Sequence, residues 1–363
     1  MKQGNTAIIN FERSTEFKKV LSERIDHYFS SKKISQSADI RMYRKTAAVL
    51  GWLVASYILL VFFAHGPISG LLYATSLGLA AAGVGFNIPH DGGHRAYAKN
   101  RIVNRLAASA FDLLGASSYI WHWKHNVYHH GYTNLVGIDD DIDIGALGRL
   151  APEQKRRWMH RFQQFYLWLL YGFLPFKWHF VDDFRALVSG RIGKQRFPRP
   201  KGLDLGILFG GKVQFFILAF VVPLFFHSIW NVLIFYGVAS IVLGVTLSVV
   251  FQLAHCVVEA DFPEVFSKKK IGNEWAAHQV ETTVNFCRDN RLIGWYLGGL
   301  NMQIEHHLFP KVCHVHYPAI SRIVEGVCRD FDVRYTCHRN AFAALASHYR
   351  WLREMGRLND VAA

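Results

Sequence analysis

Charged residues are distributed very unevenly along this chain. From Thr46 to His90 the sequence contains no Asp, Glu, Lys or Arg, and the same holds from Val213 to Val258. A helix needs about 20 consecutive apolar residues to cross a bilayer. Each run is therefore long enough for two membrane-spanning helices joined by a short turn. A buried helical hairpin of a soluble protein is the alternative, but uncharged runs of this length are untypical of one.

Turn-forming residues divide both runs. The segment His65–Gly70 interrupts the first run, and Pro223 together with residues 226–231 interrupts the second. The predicted spans are residues 47–64, 69–89, 209–227 and 231–254. This pattern predicts an all-α integral membrane protein with four transmembrane helices and a helical cap on one side.

The same pattern divides the chain into five regions. They are an amphipathic N-terminal arm (1–45), a first transmembrane hairpin (46–90), a cytosolic and interfacial segment (91–208), a second hairpin (209–255) and a cytosolic C-terminal segment (256–363). Residues 101–120 are apolar but contain Arg101, Arg105 and Asp112, so we expect them to lie at the membrane interface. No basic region followed by an apolar core opens the chain, so no cleaved signal peptide is expected.

The 363 residues carry a formal charge of +14. No Lys or Arg lies between Lys45 and Arg95, or between Lys212 and Lys268, so the basic residues fall in the three polar regions. With four spans these regions share one side, which the positive-inside rule places in the cytosol of a bacterial cytoplasmic membrane or the endoplasmic reticulum. The basic, aromatic segment 152–208 is typical of an anionic membrane surface. The spans that flank it disfavour the competing interpretation, nucleic acid binding.

Histidines gather at the ends of the spans. In the stretch Trp121–His130 three of them are spaced so that a helix would project them from neighbouring faces. Neutral imidazole is the commonest side-chain metal ligand, whereas the five cysteines contain no CxxC pair and are expected to be reduced thiols. The clustered histidines are His90, His94, His125, His129, His130, His255, His306 and His307.

Eight imidazoles are too many for one tetrahedral zinc ion, which takes four ligands. A nitrogen-rich set without thiolates and with open positions favours two iron ions. Two irons can reduce dioxygen with two delivered electrons and attack an unactivated C–H bond, which at a membrane face would belong to a lipid. The remote alternative, a metal or haem transporter, would need histidines and acidic residues inside the spans, where this sequence has few.

Three motifs, HDGGH at 90–94, HNVYHH at 125–130 and QIEHH at 303–307, resemble the histidine boxes of the membrane fatty acid desaturase family. Glutamine at the start of the third box, and the preceding segment 279–285, are similar to the front-end subgroup. That resemblance implies an oxygen-dependent enzyme that inserts a cis double bond between an existing one and the carboxyl end of an acyl-CoA or acyl-lipid (Δ6/Δ5-like). A di-iron hydroxylase of a lipid or alkane would use the same site and remains the alternative.

The resemblance implies that the seven box histidines bind iron and that His255 supplies an additional ligand. Gln303 is implied to bind weakly, through water, or only by a hydrogen bond. Carboxylates are expected to orient the imidazoles from outside the metal sphere. The candidates are Asp91, Asp139, Asp140, Asp141, Asp143, Glu259, Asp261 and Glu305, with an exposed acidic loop as the alternative for residues 139–143. His122, His278, His314 and His316 are expected to be hydrogen-bonding or surface residues.

Many front-end members of the family carry a fused cytochrome b5 domain with a His-Pro-Gly-Gly motif. This sequence contains no such motif. Electrons are therefore expected from a separate carrier, a ferredoxin or cytochrome b5-like protein, whose acidic surface would meet the basic face.

Overall fold

A computed structural model of the chain describes residues 10–12, 16–263 and 270–359. Four of its helices are long and apolar enough to cross a membrane, which confirms the predicted fold class. In chain order these first to fourth spanning helices are Ile40–Phe63, Pro67–Gly93, Leu203–Leu224 and Ile229–His255. The predicted arm (1–45) is described over 10–12 and 16–45, and its other residues lie outside the described part.

Local chemistry sets the ends of the spanning helices. The first begins seven residues before the predicted span because the Asp39 carboxylate accepts a hydrogen bond from the backbone N–H of Arg41 at 2.8 Å, capping the helix. The third contains a π-helical stretch, Ile217–Val221, just before Pro223. Proline lacks the N–H of a regular turn, and the wider turn accommodates that loss.

The second spanning helix packs between the first and the fourth. Its contact with the fourth is close enough to require glycine. A Cβ atom on Gly78 would lie 2.5 Å from the carbonyl oxygen of Ala239, and one on Gly70 would lie 2.2 Å from the ring of Phe235. On its other side, the hydroxyl groups of Ser56 and Ser76 lie 2.7 Å apart. Small residues at helix contacts are the usual means of close packing within a bilayer.

Shorter helices form the cap above one end of the spanning helices. Its core includes Phe17, Leu21 and Ile25 from the helix Glu16–Ser31, packed with residues of the helix Tyr317–Asp330. The other α-helices are Arg101–Ala108, Ala110–Leu113, Ser118–Trp121, Gln163–Leu170, Leu174–Lys177, Asp183–Ser189, Trp275–Glu281, Arg291–Tyr296, Gln303–Leu308 and Ala341–Met355. Two further π-helical stretches are His122–His129 and Trp178–Asp182, and 3₁₀ turns occupy Asp140–Ile142, Gly145–Leu147, Trp158–Phe162, Tyr171–Phe173 and His314–His316.

The described strands are short and paired in twos. Asn10–Glu12 is parallel to Lys270–Glu274, Arg191–Ile192 is antiparallel to Gln195–Arg196, and Asn285–Phe286 is parallel to Cys337–His338. None of the pairs extends into a larger sheet within the described residues. The helix Arg101–Ala108 leaves Ile102 and Leu106 each 69% exposed, which is consistent with a helix lying at the membrane interface.

Candidate metal centre

Four structural elements carry the histidine boxes to one place. The first box closes the second spanning helix, and His255 is the last residue of the fourth. The second box lies on the π-helical stretch His122–His129, and the third on the helix Gln303–Leu308. All eight predicted histidines are buried, with at most 9% of each exposed. Residues more than 200 positions apart therefore meet in a single enclosed region.

The π-helix explains how the second box directs three rings to that region. The backbone N–H of His130 donates to the carbonyl oxygen of His125 at 3.0 Å, a hydrogen bond across five residues. In this wider turn, positions five apart align along one face, with His129 beside them. The sequence predicted a helix here but not its π geometry, which is frequent at functional sites.

The imidazoles form two groups. His90, His94, His125 and His306 offer nitrogen atoms that all lie within 4.8 Å of one another. We call this set the first group. The ring centroids of His90 and His306 are 4.5 Å apart, and those of His94 and His306 are 4.8 Å apart.

The second group consists of His129, His255 and His307, whose nitrogen atoms also lie within 4.8 Å of one another. His130 stands between the groups, with its ring centroid 4.6 Å from that of His94 and 4.2 Å from that of His307. Its Nε2 atom is 3.2 Å from Nε2 of His125. The nitrogen atoms of His130, His306 and His307 also lie within 4.8 Å of one another, so His130 is within reach of both groups.

Many of these nitrogens are buried without a hydrogen-bond partner. A buried polar atom in that state costs about 1–3 kcal/mol, so a cluster of them requires an explanation. A neutral imidazole has one lone pair, so a bound metal would satisfy one nitrogen of each ring, and the seven rings concerned fit two ions. The atoms are Nδ1 and Nε2 of His90, Nε2 of His94, Nε2 of His129, Nδ1 of His130, both nitrogens of His255, Nε2 of His306 and Nε2 of His307.

Burial also favours the protonation state that a metal ligand needs. It lowers the pKa of His94, His130, His306 and His307 well below the ordinary value of 6.5, and neighbouring imidazoles lower each pKa further. These four rings are therefore neutral at pH 7. His129 differs: burial acts to lower its pKa, but the adjacent Asp139 carboxylate outweighs burial and the net change is upward.

Other side chains fix which nitrogen of a ring faces the metal groups. Asp139 Oδ2 accepts a hydrogen bond from Nδ1 of His129 at 2.9 Å, and Gln279 Oε1 accepts one from Nδ1 of His307 at 2.8 Å. Each contact holds the proton on Nδ1 and leaves Nε2 with a free lone pair. Nδ1 of His306 lies 3.2 Å from the Tyr317 hydroxyl.

Besides Asp139, Asp141 is the candidate carboxylate that approaches a box histidine. Its Oδ2 is 3.5 Å from Nδ1 of His125, and the Lys124 ammonium group lies 3.2 Å from its other oxygen. Burial acts to raise the pKa of Asp141, but Lys124 and the histidines outweigh it and the net change is downward. Asp141 is therefore ionised.

Four candidate carboxylates contact groups other than the box histidines, which corrects the sequence-based expectation for Asp91, Asp143, Glu259 and Glu305. Asp91 accepts from Nδ1 of His314 at 2.9 Å rather than from its neighbour His90, since consecutive residues of the short helix Pro89–Gly93 project in different directions. Asp143 accepts from the backbone N–H of Gly145 at 2.8 Å within a local turn.

The last two carboxylates bind groups of the C-terminal segment. Glu259 accepts from the Ser347 hydroxyl and lies 3.2 Å from Nε2 of His338. The Glu305 carboxylate accepts from Asn285 Nδ2 at 2.8 Å and from the Tyr335 hydroxyl at 2.9 Å. These bonds anchor the helix that carries the third box. Among the remaining candidates, Asp140 pairs with Lys124 at 3.1 Å and Asp261 with Arg334 at 2.7 Å.

Gln303 begins the third-box helix and is 4% exposed, and its Oε1 has no hydrogen-bond partner. The four off-pattern histidines do hydrogen-bond. His278, His314 and His316 are nevertheless buried rather than at the surface. Their contacts include Nε2 of His314 at 2.8 Å from Lys45 Nζ, Nε2 of His316 at 3.2 Å from the Ser37 carbonyl and Nδ1 of His122 at 3.0 Å from Asn126 Nδ2.

Sequence reasoning missed the roles of Gln279, Tyr317 and Asn134. Asn134 adopts a left-handed conformation (φ 58°) and its amide group lies 3.2 Å from the carbonyl oxygen of His255 and 3.1 Å from that of Thr282. It thereby ties the turn after the second box to the end of the fourth spanning helix. An Asn four residues after a histidine pair was the available signal, since Asn tolerates this conformation better than most residues.

Comparison with known proteins shows that the chain is similar to members of one enzyme family. The sequence profile of the family described as fatty acid desaturase matches residues 66–339. The chain is 38% identical over 351 residues to an sn-1 linoleoyl-lipid 6-desaturase of Arthrospira platensis, covering 96% of this chain and 95% of that protein. It is likewise 38% identical to a Synechocystis protein with the same description, over 96% and 98% of the two chains. An acyl-lipid (8-3)-desaturase of Physcomitrium patens is 39% identical over 94% of this chain and 72% of that protein.

Proposed function

The chain belongs to the fatty acid desaturase family, and from that premise we propose that it uses two iron ions and dioxygen to insert a cis double bond into a lipid-linked acyl chain. The activity is that of a front-end-like acyl desaturase, an oxidoreductase. The observation that carries the di-iron proposal is the convergence of unpartnered, buried imidazole nitrogens in two groups. A neutral, thiolate-free, nitrogen-rich donor set suits iron.

The residues assigned to the first ion are His90, His94, His125 and His306, those assigned to the second are His129, His255 and His307, and His130 lies within reach of both. Gln303 is assigned as a weak or water-mediated partner, since its Oε1 is buried and unpartnered. Iron bound here supplies the reduction of dioxygen and the removal of hydrogen from the acyl chain. In the balanced reaction a CH2–CH2 unit loses two hydrogen atoms, a donor adds two electrons and solvent adds two protons, and dioxygen becomes two water molecules.

The protein's own residues bind, orient and exclude water. Asp139 and Gln279 hold protons on Nδ1 of His129 and His307, so that Nε2 of each ring is available as a ligand. Burial of every box histidine keeps bulk water from the oxidising centre. No side chain has to act as an acid or base on the acyl chain, because its C–H bonds are not acidic.

The substrate we propose is a linoleoyl chain on a membrane lipid, with the new double bond at position 6, as named for the Arthrospira and Synechocystis proteins. An apolar cavity of about 280 Å³ between the spanning helices offers space for part of such a chain. Leu77 and Ala81 of the second spanning helix, together with Leu113 and Leu114, line this cavity.

We further propose that the metal groups face the cytosol and receive electrons from a separate ferredoxin or cytochrome b5-like carrier. The absence of basic residues between Lys45 and Arg95, and between Lys212 and Lys268, supports this orientation. A net charge of +14 favours an acidic partner.

The test is expression in a host supplied with linoleate, followed by gas chromatography–mass spectrometry of lipid-bound fatty acids and iron analysis of purified protein. We expect a triunsaturated product with its new bond at position 6 and about two irons per chain in this site. His129→Ala should abolish the product, and His27→Ala, an exposed matched control, should not. Hydroxylated chains without new double bonds would overturn the desaturase activity, and iron-free active protein would overturn the di-iron site.

A further inference from the structure

A groove of about 660 Å³ opens on the surface of the cap, away from the histidines. One wall is the segment from Arg156 to Phe165, and the other is the end of the helix Ala341–Met355 with the residues that follow it. Four arginines line it: Arg156, Arg161, Arg353 and Arg357. None of the described residues lining the groove is Asp or Glu.

The two walls are held together by buried contacts. Gly356 packs so closely that a Cβ there would lie 2.1 Å from the carbonyl oxygen of His160. The Arg149 side chain, which is 0% exposed, donates to the carbonyl oxygens of Met355 at 3.1 Å and Leu358 at 2.5 Å. The backbone of the two walls is therefore a fixed feature of the fold, and the exposed side chains of Arg161, Arg353 and Arg357 extend from it.

The groove has a charged part and an aromatic part. Phe162 and Phe165, which are 47% and 64% exposed, lie beside the arginines. The Arg161 guanidinium group lies 4.9 Å from the ring centroid of Phe162. Guanidinium groups bind phosphate oxygens in bidentate geometry, and exposed aromatic rings prefer the boundary between lipid and water.

The neighbouring spanning helix fixes the depth of the groove in the membrane. The Tyr171 carbonyl accepts from the Ser248 hydroxyl at 3.3 Å, so this turn lies about 10 Å below the His255 end of the fourth spanning helix. The Tyr171 hydroxyl and the Cys256 carbonyl both contact the ring of His348. The helix Gln163–Leu170 therefore ends beside the fourth spanning helix, and His348 places the helix Ala341–Met355 at the level where that spanning helix ends.

We propose that this groove binds the phosphate group of a membrane phospholipid, separately from the acyl substrate. Arg161, Arg353 and Arg357 would hold the phosphate, and Phe162 and Phe165 would contact the adjoining glycerol and upper acyl carbons. The position at the end of a spanning helix favours a lipid over free phosphate. The exposed rings of Phe162 and Phe165 favour it too, because a free phosphate ion offers nothing for them to contact. The position also favours a lipid over an acidic carrier protein, because Phe165 and Leu169 are 64% and 66% exposed on a helix that contacts the fourth spanning helix.

The test uses the purified full-length protein, delipidated in neutral detergent, with binding followed by native mass spectrometry. Dioleoyl phosphatidylglycerol is the lipid probe, dioleoylglycerol is the phosphate-free analogue, and inorganic phosphate is the free anion. We expect tight binding of one phosphatidylglycerol per chain, and at least about tenfold weaker binding to the double variant Arg161→Gln/Arg353→Gln, because each lost charge-assisted bond contributes about this factor.

The matched control is Arg329→Gln/Arg339→Gln, which removes the same charge from exposed positions outside the groove. It should bind phosphatidylglycerol as the unmodified protein does. Equal losses in both variants would reduce the effect to net charge and overturn the site. Binding of inorganic phosphate that prevents lipid binding equally well would replace the lipid by a free anion. If the Arg161→Gln/Arg353→Gln variant binds phosphatidylglycerol normally but no longer binds a ferredoxin, the groove is a site for the acidic carrier protein and the lipid proposal is overturned. These binding measurements do not depend on desaturase activity, so they can fail while the proposed function stands.

Discussion

The Oδ2 atom of Asp139 lies 2.9 Å from Nδ1 of His129, and both side chains are 0% exposed. Asp139 also accepts the backbone N–H groups of Asn134 and Asp141, each at 3.0 Å. One carboxylate therefore orients a candidate iron ligand and closes the turn that follows the second box. Such partners of metal-bound histidines change metal affinity when they are removed.

Asp139→Asn should lower iron affinity and desaturase activity by about 10- to 100-fold, because the amide is a weaker acceptor for the His129 proton. Iron per chain and product formation are the measurements. Asp143→Asn is the matched control, since Asp143 binds only the Gly145 N–H among its described contacts. Full iron content in the Asp139→Asn variant would show that Asp139 does not contribute to iron binding.

Gln279 connects His307 of the second group to the turn that follows the second box. Its Oε1 accepts from Nδ1 of His307 at 2.8 Å and from the Thr133 hydroxyl at 2.9 Å. Gln279→Leu should reduce iron content at least about tenfold, whereas Gln279→Glu, which keeps an acceptor, should retain most of it. The comparison is made by metal analysis of folded, purified protein. Equal loss in both variants would indicate a packing role instead.

Lys212 and Asp183 form a buried ion pair at 2.7 Å, and the ammonium group also donates to the carbonyl oxygens of Gly115 and Trp178, each at 2.7 Å. Lys212→Met should destabilise the protein by about 3–5 kcal/mol, because it leaves a buried carboxylate without its partner. Thermal unfolding in detergent is the measurement. Lys177→Met, at an exposed pair with Asp182, should change stability by less than about 1 kcal/mol.

A second variant separates charge from packing at this pair. Adding Asp183→Asn to Lys212→Met removes the uncompensated charge and keeps an acceptor for the Ser117 N–H. The double variant should therefore be more stable than Lys212→Met alone. If it is less stable, the loss in the single variant comes from the carbonyl contacts of Lys212 rather than from the buried charge.

His348 predicts a pH dependence of stability. Burial lowers its pKa to about 4, against an ordinary value of 6.5, although its contact with the Cys256 carbonyl acts in the opposite direction. The folded state binds the proton less tightly than the unfolded state does. The stabilisation from keeping His348 neutral in the folded state is therefore complete above pH 6.5 and is lost as the pH falls toward 4. The total is about 3 kcal/mol.

Unfolding curves between pH 4 and 7 test this. His348→Gln should show a shallower loss of stability with falling pH than the unmodified protein, because Gln does not titrate. His27→Gln, at an exposed position, should leave the slope unchanged. Identical slopes for all three proteins would exclude His348 as a source of the pH dependence.

The sequence alone was sufficient for the spanning helices and the box histidines. Runs without charge are recognisable because the cost of placing a charge in a bilayer applies at each position separately. The spacing of the histidines is likewise local, so HDGGH and HNVYHH indicate ligands before any fold is known. The one local feature that spacing did not reveal is the π-helical turn, since its hydrogen bonds differ from those of an α-helix by a single residue.

Only the tertiary structure decided the partners of those histidines. Gln279 reaches His307 from 28 residues away, and Asp91 turns from its neighbour His90 to His314, 223 residues distant. Asp143 and Glu305 were among the candidates named from the sequence, but they bind other groups. A hydrogen bond requires an approach within about 3 Å and a defined direction, and both depend on how separate elements pack. Hydropathy and motif spacing carry no information about that packing, so they located the centre but not the contacts that orient it.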